Sequence, residues 1–420
     1  MGLRLKPLLY LICGLTDFAA FIVVFAVSRG LAEAQAEPWR LGVAGAGFAF
    51  TAGLGSALGG WLAHRFDGRV IFVSGNVLVT LSCVGCGVSD PVSFWFLPVY
   101  WLLGIGVGFL YPPLIGWLNQ GEDAHTNRRG VSRNLIMFCV AWNVGMMAGQ
   151  LTAGRLFAID ATWTYGAAIA AALVNVGLAL VAASRVVRLS AAHAVDAAPE
   201  HADVKLAAAF KRLGWIANLG GMFGGSMVLH LLPDLVVLID ISANSHGVML
   251  ACWRVVIIAT YLIMHHVAFW HYRLSVSLTS QVLAAVGLII IARAESAESL
   301  LAGLVLLGQL VGYNYFSGLY YATAGSRHEG RALAAGLHEA TLAGGMAVGT
   351  IVGGVVGTVL GPRAPYVLAA AVILMLFAVQ GIVWWKWVRP LWYRAQLHQG
   401  QSRVSPPSYD GSAANDAAAQ

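Results

Sequence analysis

Residues 102–111 read Leu-Leu-Gly-Ile-Gly-Val-Gly-Phe-Leu-Tyr, and residues 306–315 read Leu-Leu-Gly-Gln-Leu-Val-Gly-Tyr-Asn-Tyr. The two stretches agree at six of ten positions, with an offset of 204 residues. A second match has an offset of 200 residues, and it places Gly130, Gly145, Met146, Gly149 and Gly154 on Gly330, Gly345, Met346, Gly349 and Gly354. Both matches lie in apolar stretches of helical length. The chain is therefore an internal duplication.

The composition of the chain excludes an ordinary soluble domain. Hydrophobic residues make up 59% of the 420 positions and charged residues only 10%, against about 25% charged in soluble domains. So much apolar surface requires lipid as the solvent. The five cysteines all lie in apolar runs, which argues against a disulfide framework. Cys83 and Cys86 have CxxC spacing without a second ligand pair, so we predict no metal and no cofactor.

Apolar runs long enough to cross about 30 Å of hydrocarbon recur along the chain. We predict twelve spans, all helical, near residues 8–28, 41–63, 70–89, 93–118, 134–158, 163–184, 213–236, 246–265, 274–293, 298–323, 333–359 and 366–388. They form an N-terminal six-helix half (1–184) and a C-terminal half (213–392). A cytoplasmic central loop (185–212) joins the halves, and residues 393–420 read as a disordered tail.

The distribution of basic residues predicts the orientation. With the N-terminus in the cytoplasm, nineteen of the 25 Lys and Arg residues fall in cytoplasmic segments and four in outer ones, as the positive-inside rule requires. Six spans are an even number, so both halves enter the membrane from the same side and the repeats are parallel. Cleavage of the first span as a signal peptide is the alternative, but Asp17 in its middle and the loss of pairing between the halves argue against it.

The loop after the second span reads Gly60-Trp61-Leu62-Ala63-His64-Arg65-Phe66-Asp67-Gly68-Arg69. It resembles the Gly-x-Leu-Ala-Asp-Arg-x-Gly-Arg signature of the major facilitator superfamily. His64 replaces the usual acid, and the Gly-Arg pair comes one residue late. The resemblance implies a gating loop formed by Gly60, Arg65, Asp67 and Arg69, which latches helix ends through charge pairs. An ordinary basic loop is the alternative.

Spans 5 and 11 carry a second resemblance. They read Gly145-x-x-x-Gly149-Gln150-x-x-Ala153-Gly154 and Gly345-x-x-x-Gly349-Thr350-x-x-Gly353-Gly354, similar to the Gly-x-x-x-Gly-Pro-x-x-Gly-Gly signature of exporters in that family. Small residues four apart also let helices approach closely, so plain helix packing is the simpler interpretation. The resemblance covers roughly residues 6–390. It implies two six-helix halves that rock about a midplane cavity, and it does not identify a substrate.

Ionisable side chains are rare inside the predicted spans, since each costs roughly 2.5–3.5 kcal/mol to insert. Of the 19 acids, only Asp17 and Glu339 lie clearly inside a span, with Asp234 near the end of span 7. We expect Asp17 and Glu339, which neighbours His338, to include a proton-coupling carboxylate. Arg254 in span 8 either balances their charge or anchors an anionic group of the substrate. A fixed ion pair that ties helices together is the alternative.

Two further polar groups are candidates for substrate contact. On span 10 the spacing places five side chains along one broad helix face: Tyr313, Asn314, Ser317, Tyr320 and Tyr321. On span 5, Asn143 and Gln150 are seven residues apart, beside Trp142. Packing is the alternative for the tyrosines, and hydrogen bonds between helices are the alternative for the span-5 pair.

Two other classes of membrane protein are alternatives to a transporter, namely a metal enzyme and a sensor or scaffold. His265, His266 and His271 form one loose histidine group, whereas membrane di-iron enzymes need several boxes on neighbouring helices. No phosphate-binding loop or nucleophile elbow is present, so we do not predict an enzyme. A transporter-like sensor or scaffold is the second rival, based on the WW-type motif Pro406-Pro407-Ser408-Tyr409 in the tail.

The sequence therefore predicts an all-α secondary active transporter that moves a small organic anion, zwitterion or drug-like solute by alternating access, with proton coupling. The expected partners are the solute, the coupling ion and the lipid bilayer, without nucleic acid, and the protein is expected to be a monomer. We expect it in the inner cell membrane, with both termini in the cytoplasm.

Overall fold

The computed structural model describes residues 5–91, 93, 95–118, 128–186, 202–325 and 331–394. These residues form thirteen α-helices followed by a short π-helical segment, Trp384–Val388, from which helix continues to Arg394. The helices are α1 (Leu5–Glu33), α2 (Pro38–Arg65), α3 (Gly68–Val88), α4 (Phe96–Leu118), α5 (Arg128–Phe157), α6 (Ala161–Arg185), α7 (Ala202–His230), α8 (Leu232–Leu238), α9 (Ala243–His266), α10 (Leu274–Ala292), α11 (Ala297–Ala324), α12 (Arg331–Leu360) and α13 (Ala364–Val383).

Within these residues, eleven helices are long and apolar enough to cross a membrane. The pair α7 and α8 is bent by 46° at Leu231 and counts as the twelfth span, so the predicted all-helical, twelve-span architecture is confirmed. Helices α1 to α6 are spans 1 to 6, and α9 to α13 are spans 8 to 12. Helix α7 begins at Ala202, inside the segment predicted as the central loop, while residues 187–201 and 395–420 lie outside the described part.

The course of α1 distinguishes the two ends of the helix bundle. We call the end where α1 begins the terminal face, and the end where α1 finishes the distal face. Helix starts follow local capping chemistry. On the terminal face Asp67 accepts a hydrogen bond from the backbone N–H of Arg69 at the start of α3 (2.9 Å). On the distal face Asp160 accepts one from the backbone N–H of Thr162 at the start of α6 (2.6 Å). Hydrogen bonds from the side chain and the backbone of Thr162 lower the pKa of the Asp160 carboxyl.

Matching carboxamide pairs hold each half together in the same place. In the N-terminal half, Asn175 of α6 donates to Asn76 of α3 at 2.8 Å and to Thr16 of α1 at 2.8 Å. In the C-terminal half, Gln380 of α13 donates to Gln281 of α10 at 2.8 Å. Both members of the second pair follow their counterparts by 205 residues. The duplication therefore extends to the buried hydrogen bonds between helices.

Replacing Asn175 by leucine will lower the thermal stability of the purified protein. The change leaves the oxygens of Asn76 and Thr16 buried without this donor, which costs about 1 kcal/mol for a hydrogen bond between membrane helices. The measurement is the unfolding temperature in detergent, with the exposed Ser184→Ala on the same helix as control. Equal unfolding temperatures for Asn175→Leu and wild type would contradict this role.

Two glycine pairs bring the two halves into close contact at the distal face. A β-carbon added to Gly354 of α12 would lie 2.9 Å from the Cα atom of Gly42 on α2, and one added to Gly154 of α5 would lie 2.8 Å from the Cα atom of Gly247 on α9. We call these two glycine pairs the distal joint. The backbone N–H of Trp39 also donates to Thr358 of α12 at 3.0 Å. The distal face is therefore closed, and only glycine allows these backbones to approach so closely.

Candidate functional site

Asp17 lies on α1 with 1% of its surface exposed. One carboxylate oxygen accepts a hydrogen bond from the hydroxyl of Tyr111 on α4. The other oxygen is buried and has no hydrogen-bond partner in the described part of the chain. A carboxylate inside the membrane with one oxygen unsatisfied is poised to bind a proton or another donor.

Glu339 lies on α12, and its carboxylate accepts a hydrogen bond from the hydroxyl of Tyr315 on α11 at 3.4 Å. Tyr111 and Tyr315 are the last residues of the two matching stretches, 204 positions apart. Each half therefore places its repeated tyrosine against one of the two acids. The acids themselves are not equivalent in the repeat, because Cys139 stands where the second half has Glu339.

Glu339 lies at the interface between the halves. Its charge is close enough to act on Cys139 of α5 and on Tyr261 of α9, so it faces the interior of the bundle and not lipid. Its side chain is nevertheless exposed. Since the distal face is closed, we infer that this exposure is to a cavity that opens on the terminal side.

Arg254 of α9 points toward the other half. Its guanidinium carbon is 5.4 Å from the ring centroid of Phe21 on α1 and 4.6 Å from that of Trp253. The side chain is 3% exposed, and its Nε atom has no hydrogen-bond partner among the described residues. Its charge acts on Asp17 across the interface, although no direct ion pair joins them in the described part. A buried cation with an unused donor is suited to an anionic group.

Aromatic rings connect the two charged regions. The Trp142 ring of α5 meets the Tyr315 ring edge-on, with centroids 5.5 Å apart, across the interface between the halves. The ring of Tyr261 lies 6.1 Å from that of Tyr315. The site thus consists of two acids, one arginine and an aromatic contact between the halves.

The predicted face of span 10 makes several contacts with neighbouring helices of the C-terminal half. Asn314 donates to the carbonyl of Ala217 on α7 at 2.7 Å, and the hydroxyl of Tyr321 accepts from the backbone of Tyr272 at 2.7 Å. Tyr313 and Ser317 line a small pocket between α11, α7 and α10. Tyr320 stacks on His271 with ring centroids 4.6 Å apart. These contacts lie within the C-terminal half, and substrate contact by the five side chains stays a prediction.

The remaining candidates lie nearer to the interface. Asn143 donates to the carbonyl of Cys139 at 2.9 Å, and its own oxygen has no partner in the described residues. Gln150 is buried where its backbone carbonyl meets Gly247 of α9. His338 is buried against Gly318 of α11, with neither ring nitrogen bonded within the described part. Substrate contact by Asn143 or Gln150 stays a prediction.

The predicted gating loop forms a local ion pair. Arg69 donates to Asp67 at 2.6 Å and 2.9 Å, so both partners belong to the same short segment at the start of α3. Arg65 is exposed, with its guanidinium 5.4 Å from the ring of Trp61. A β-carbon on Gly60 would only touch Pro112, at 3.7 Å. A latch between helices stays a prediction, and the side chain of His64 lies outside the described residues.

The loose histidine group does not converge on one point. The rings of His265 and His266 are exposed at the end of α9, with centroids 5.2 Å apart, whereas His271 stacks on Tyr320. In the part of the chain that the structure describes, no three His, Cys, Asp or Glu side chains are placed to hold a metal ion.

Comparison with known proteins agrees with this architecture. The family model described as Major Facilitator Superfamily matches residues 8–329. No curated protein sequence matches the chain.

Three solved structures illustrate the likeness. The nucleoside transporter NupG is 14% identical, with 90% of this chain and 100% of that chain covered at a TM-score of 0.64. The human organic anion transporter MFSD10 is 15% identical, with 90% of this chain and 99% of that chain covered at a TM-score of 0.63. The third is a bacterial homologue of the human lysosomal transporter Spinster, in an inward-facing and occupied conformation. It is 13% identical, with 91% of this chain and 97% of that chain covered at a TM-score of 0.69. At these identities the likeness shows the fold alone.

Proposed function

The chain belongs to the Major Facilitator Superfamily and is a secondary transporter, and from this premise we propose that it couples the movement of a small organic anion or zwitterion to protons. The observation that carries the proposal is the pairing of each intramembrane acid with a repeat-related tyrosine, on opposite sides of the interface. Acids at this depth are otherwise disfavoured in lipid.

The two acids have different roles in proton coupling. Asp17 is buried and within reach of the charge of Arg254, while Glu339 is exposed, toward the cavity that we infer on the terminal side. A proton that enters the open cavity meets Glu339 directly. Asp17 keeps its charge only while Arg254 faces it, because an isolated carboxylate is strongly disfavoured out of water.

Substrate binding and proton binding are linked through the balance of charge between Arg254 and Asp17. An anionic group that binds the unused donor of Arg254 withdraws that cation from Asp17, and protonation of Asp17 then restores neutrality. Binding of the anion and binding of a proton therefore favour each other. This linkage couples transport of the anion to the proton gradient, which supplies the energy.

The substrate class follows from Arg254 and its aromatic neighbours. The guanidinium offers donors to a carboxylate or phosphate, and the rings of Trp142 and Tyr315 offer flat apolar surface. A zwitterion would place its cationic end at Glu339. This geometry does not single out the solute of any one of the structurally similar transporters.

Arg254→Gln will weaken binding of anionic solutes by about 10- to 150-fold, because a hydrogen bond to a charged partner contributes roughly 1.5–3 kcal/mol. The measurement is a thermal-shift screen of solutes on the detergent-purified protein at two pH values, followed by titration of the hits. Arg389→Gln, at an exposed aromatic cluster near the end of the helical chain, is the matched control. Unchanged affinity for an anionic hit in Arg254→Gln would contradict the assignment.

We propose that the terminal face is the cytoplasmic one, in an inner cell membrane. The distribution of Lys and Arg supports this orientation. In that case the structure is closed to the outside, and the cavity at Glu339 opens to the cytoplasm. Labelling of an introduced cysteine at Ile159, which is exposed on the distal face, by a membrane-impermeant maleimide in intact cells tests it. Labelling only after lysis would contradict this orientation.

A further inference from the structure

Two histidines lie at the closed distal end of the interface, and the transport mechanism does not use them. His230 is the last residue of α7, directly before the bend at Leu231, and His246 lies in the first turn of α9. Each is 1% exposed. Both ring nitrogens of both residues lack a hydrogen-bond partner in the described part of the chain.

Both imidazoles belong to the C-terminal half but pack on the N-terminal half. A β-carbon on Gly45 of α2 would lie 2.5 Å from the His230 ring, so a glycine leaves the space that this ring fills. The Phe48 ring is 6.1 Å from the His230 ring. The His246 ring lies 4.9 Å from the ring of Phe25 on α1. Each histidine therefore fills the interface next to one glycine pair of the distal joint, His230 near Gly42 and His246 beside Gly247.

The charged groups near these two rings do not stabilise the protonated form of either histidine. Arg29 of α1 is close enough for its charge to act on His246, and it is paired with Glu33 at 2.7 Å. Arg155 of α5, next to Gly154, is exposed. No charged side chain of the described residues acts on His230 beyond its burial among apolar groups.

From this geometry we propose that His230 and His246 form a proton-binding site that unlocks the distal face. While the halves are joined, the rings are dry and have no acceptor, so they remain neutral. Once the halves separate, the rings reach water, where imidazole binds a proton at pH about 6.5. Acid therefore stabilises the open distal face and disfavours its closure. This role is separate from the coupling proposed for Asp17 and Glu339.

The size of the effect follows from linkage. Below pH about 6.5, each histidine that is neutral in the closed state and protonated in the open state shifts the open-to-closed ratio about tenfold per pH unit. If the two histidines bind protons independently, the open-to-closed ratio changes by at most about a hundredfold per pH unit. The direction is fixed: the distal face opens as the pH falls.

The test measures the distance between the halves at the distal face. Nitroxide labels on Ile159→Cys and Leu360→Cys, two exposed positions on opposite halves, report opening in lipid nanodiscs by pulsed electron paramagnetic resonance. The five native cysteines are replaced by alanine for this purpose. We expect the long-distance population to grow between pH 7.5 and 5.5 (both values chosen to bracket about 6.5), and this growth to disappear in His230→Gln/His246→Gln.

Three controls make the result decisive. His265→Gln/His266→Gln, which changes exposed histidines at the other face, must respond as wild type does. In Asp17→Asn/Glu339→Gln the response must persist, because it does not depend on the coupling acids. If the double histidine variant does not fold, His246→Gln alone must reduce the response. No response in wild type, a full response without the two histidines, or a response lost only with the acids would each overturn the proposal.

Discussion

Glu339→Gln will abolish uphill transport driven by a pH gradient. Glutamine keeps the size and an acceptor for the Tyr315 hydroxyl, but it cannot release a proton into the cavity. Net accumulation requires the carrier to change its protonation state once in each cycle. The expected accumulation in proteoliposomes therefore collapses to equal concentrations on the two sides, with a solute identified by the thermal-shift screen as the probe.

Exchange of labelled for unlabelled solute separates coupling from folding in this variant. Exchange leaves the protonation state unchanged, so it should survive in Glu339→Gln and in Asp17→Asn. The matched control is Glu298→Gln, since Glu298 lies in the first turn of α11 at the distal face, away from both coupling acids. Undiminished accumulation in Asp17→Asn, in Glu339→Gln and in Arg254→Gln would sink the proposed function.

Leucine at Gly154 and Gly354 will prevent closure of the distal joint. The β-carbons alone would lie 2.8 and 2.9 Å from backbone atoms of the other half, and overpacking costs about 1–3 kcal/mol at each site. Two sites together reduce the distal-closed population at least about 30-fold. Transport falls with it, because the cavity can no longer alternate. The measurement pairs the distance between labels at Ile159 and Leu360 with solute exchange.

Gly344→Leu is the matched control for the glycine prediction. Gly344 lies on the same helix as Gly354, but a β-carbon there meets no atom within 4 Å. This variant should keep wild-type distances and exchange. If leucine at Gly154 and Gly354 also left the distance between the labels and the solute exchange unchanged, the close approach of the glycine pairs would have no part in closure.

Much of the fold follows from the sequence for physical reasons. Apolar runs of membrane length leave few alternatives to helices, since every backbone group in lipid must be bonded within the protein. The repeat at offsets of 200 and 204 predicted two related halves, and the distal joint uses Gly154 and Gly354 from that repeat. The start of α7 at Ala202 was missed, because this end of the helix is polar and extends beyond the apolar run.

The proposed site was only partly predictable from the sequence. Asp17, Glu339 and Arg254 were predicted from the cost of charge in lipid alone. Span 10 shows the limit, because periodicity places side chains on a face without saying what that face meets. Tyr313 and Asn314 face α7 or its neighbours, whereas Tyr315, one residue further, faces Glu339. The agreement of Tyr111 and Tyr315 in the repeat was the signal that could have found these two residues.

Substrate-driven proton movement tests the central claim most directly. Wild-type protein is reconstituted into vesicles that contain a pH-sensitive dye, and a gradient of an identified anionic solute is imposed without any pH gradient. We predict a change in internal pH that requires the solute and that is absent in Asp17→Asn and Glu339→Gln vesicles. Solute flux in wild-type vesicles with no movement of protons would contradict proton coupling by these two acids.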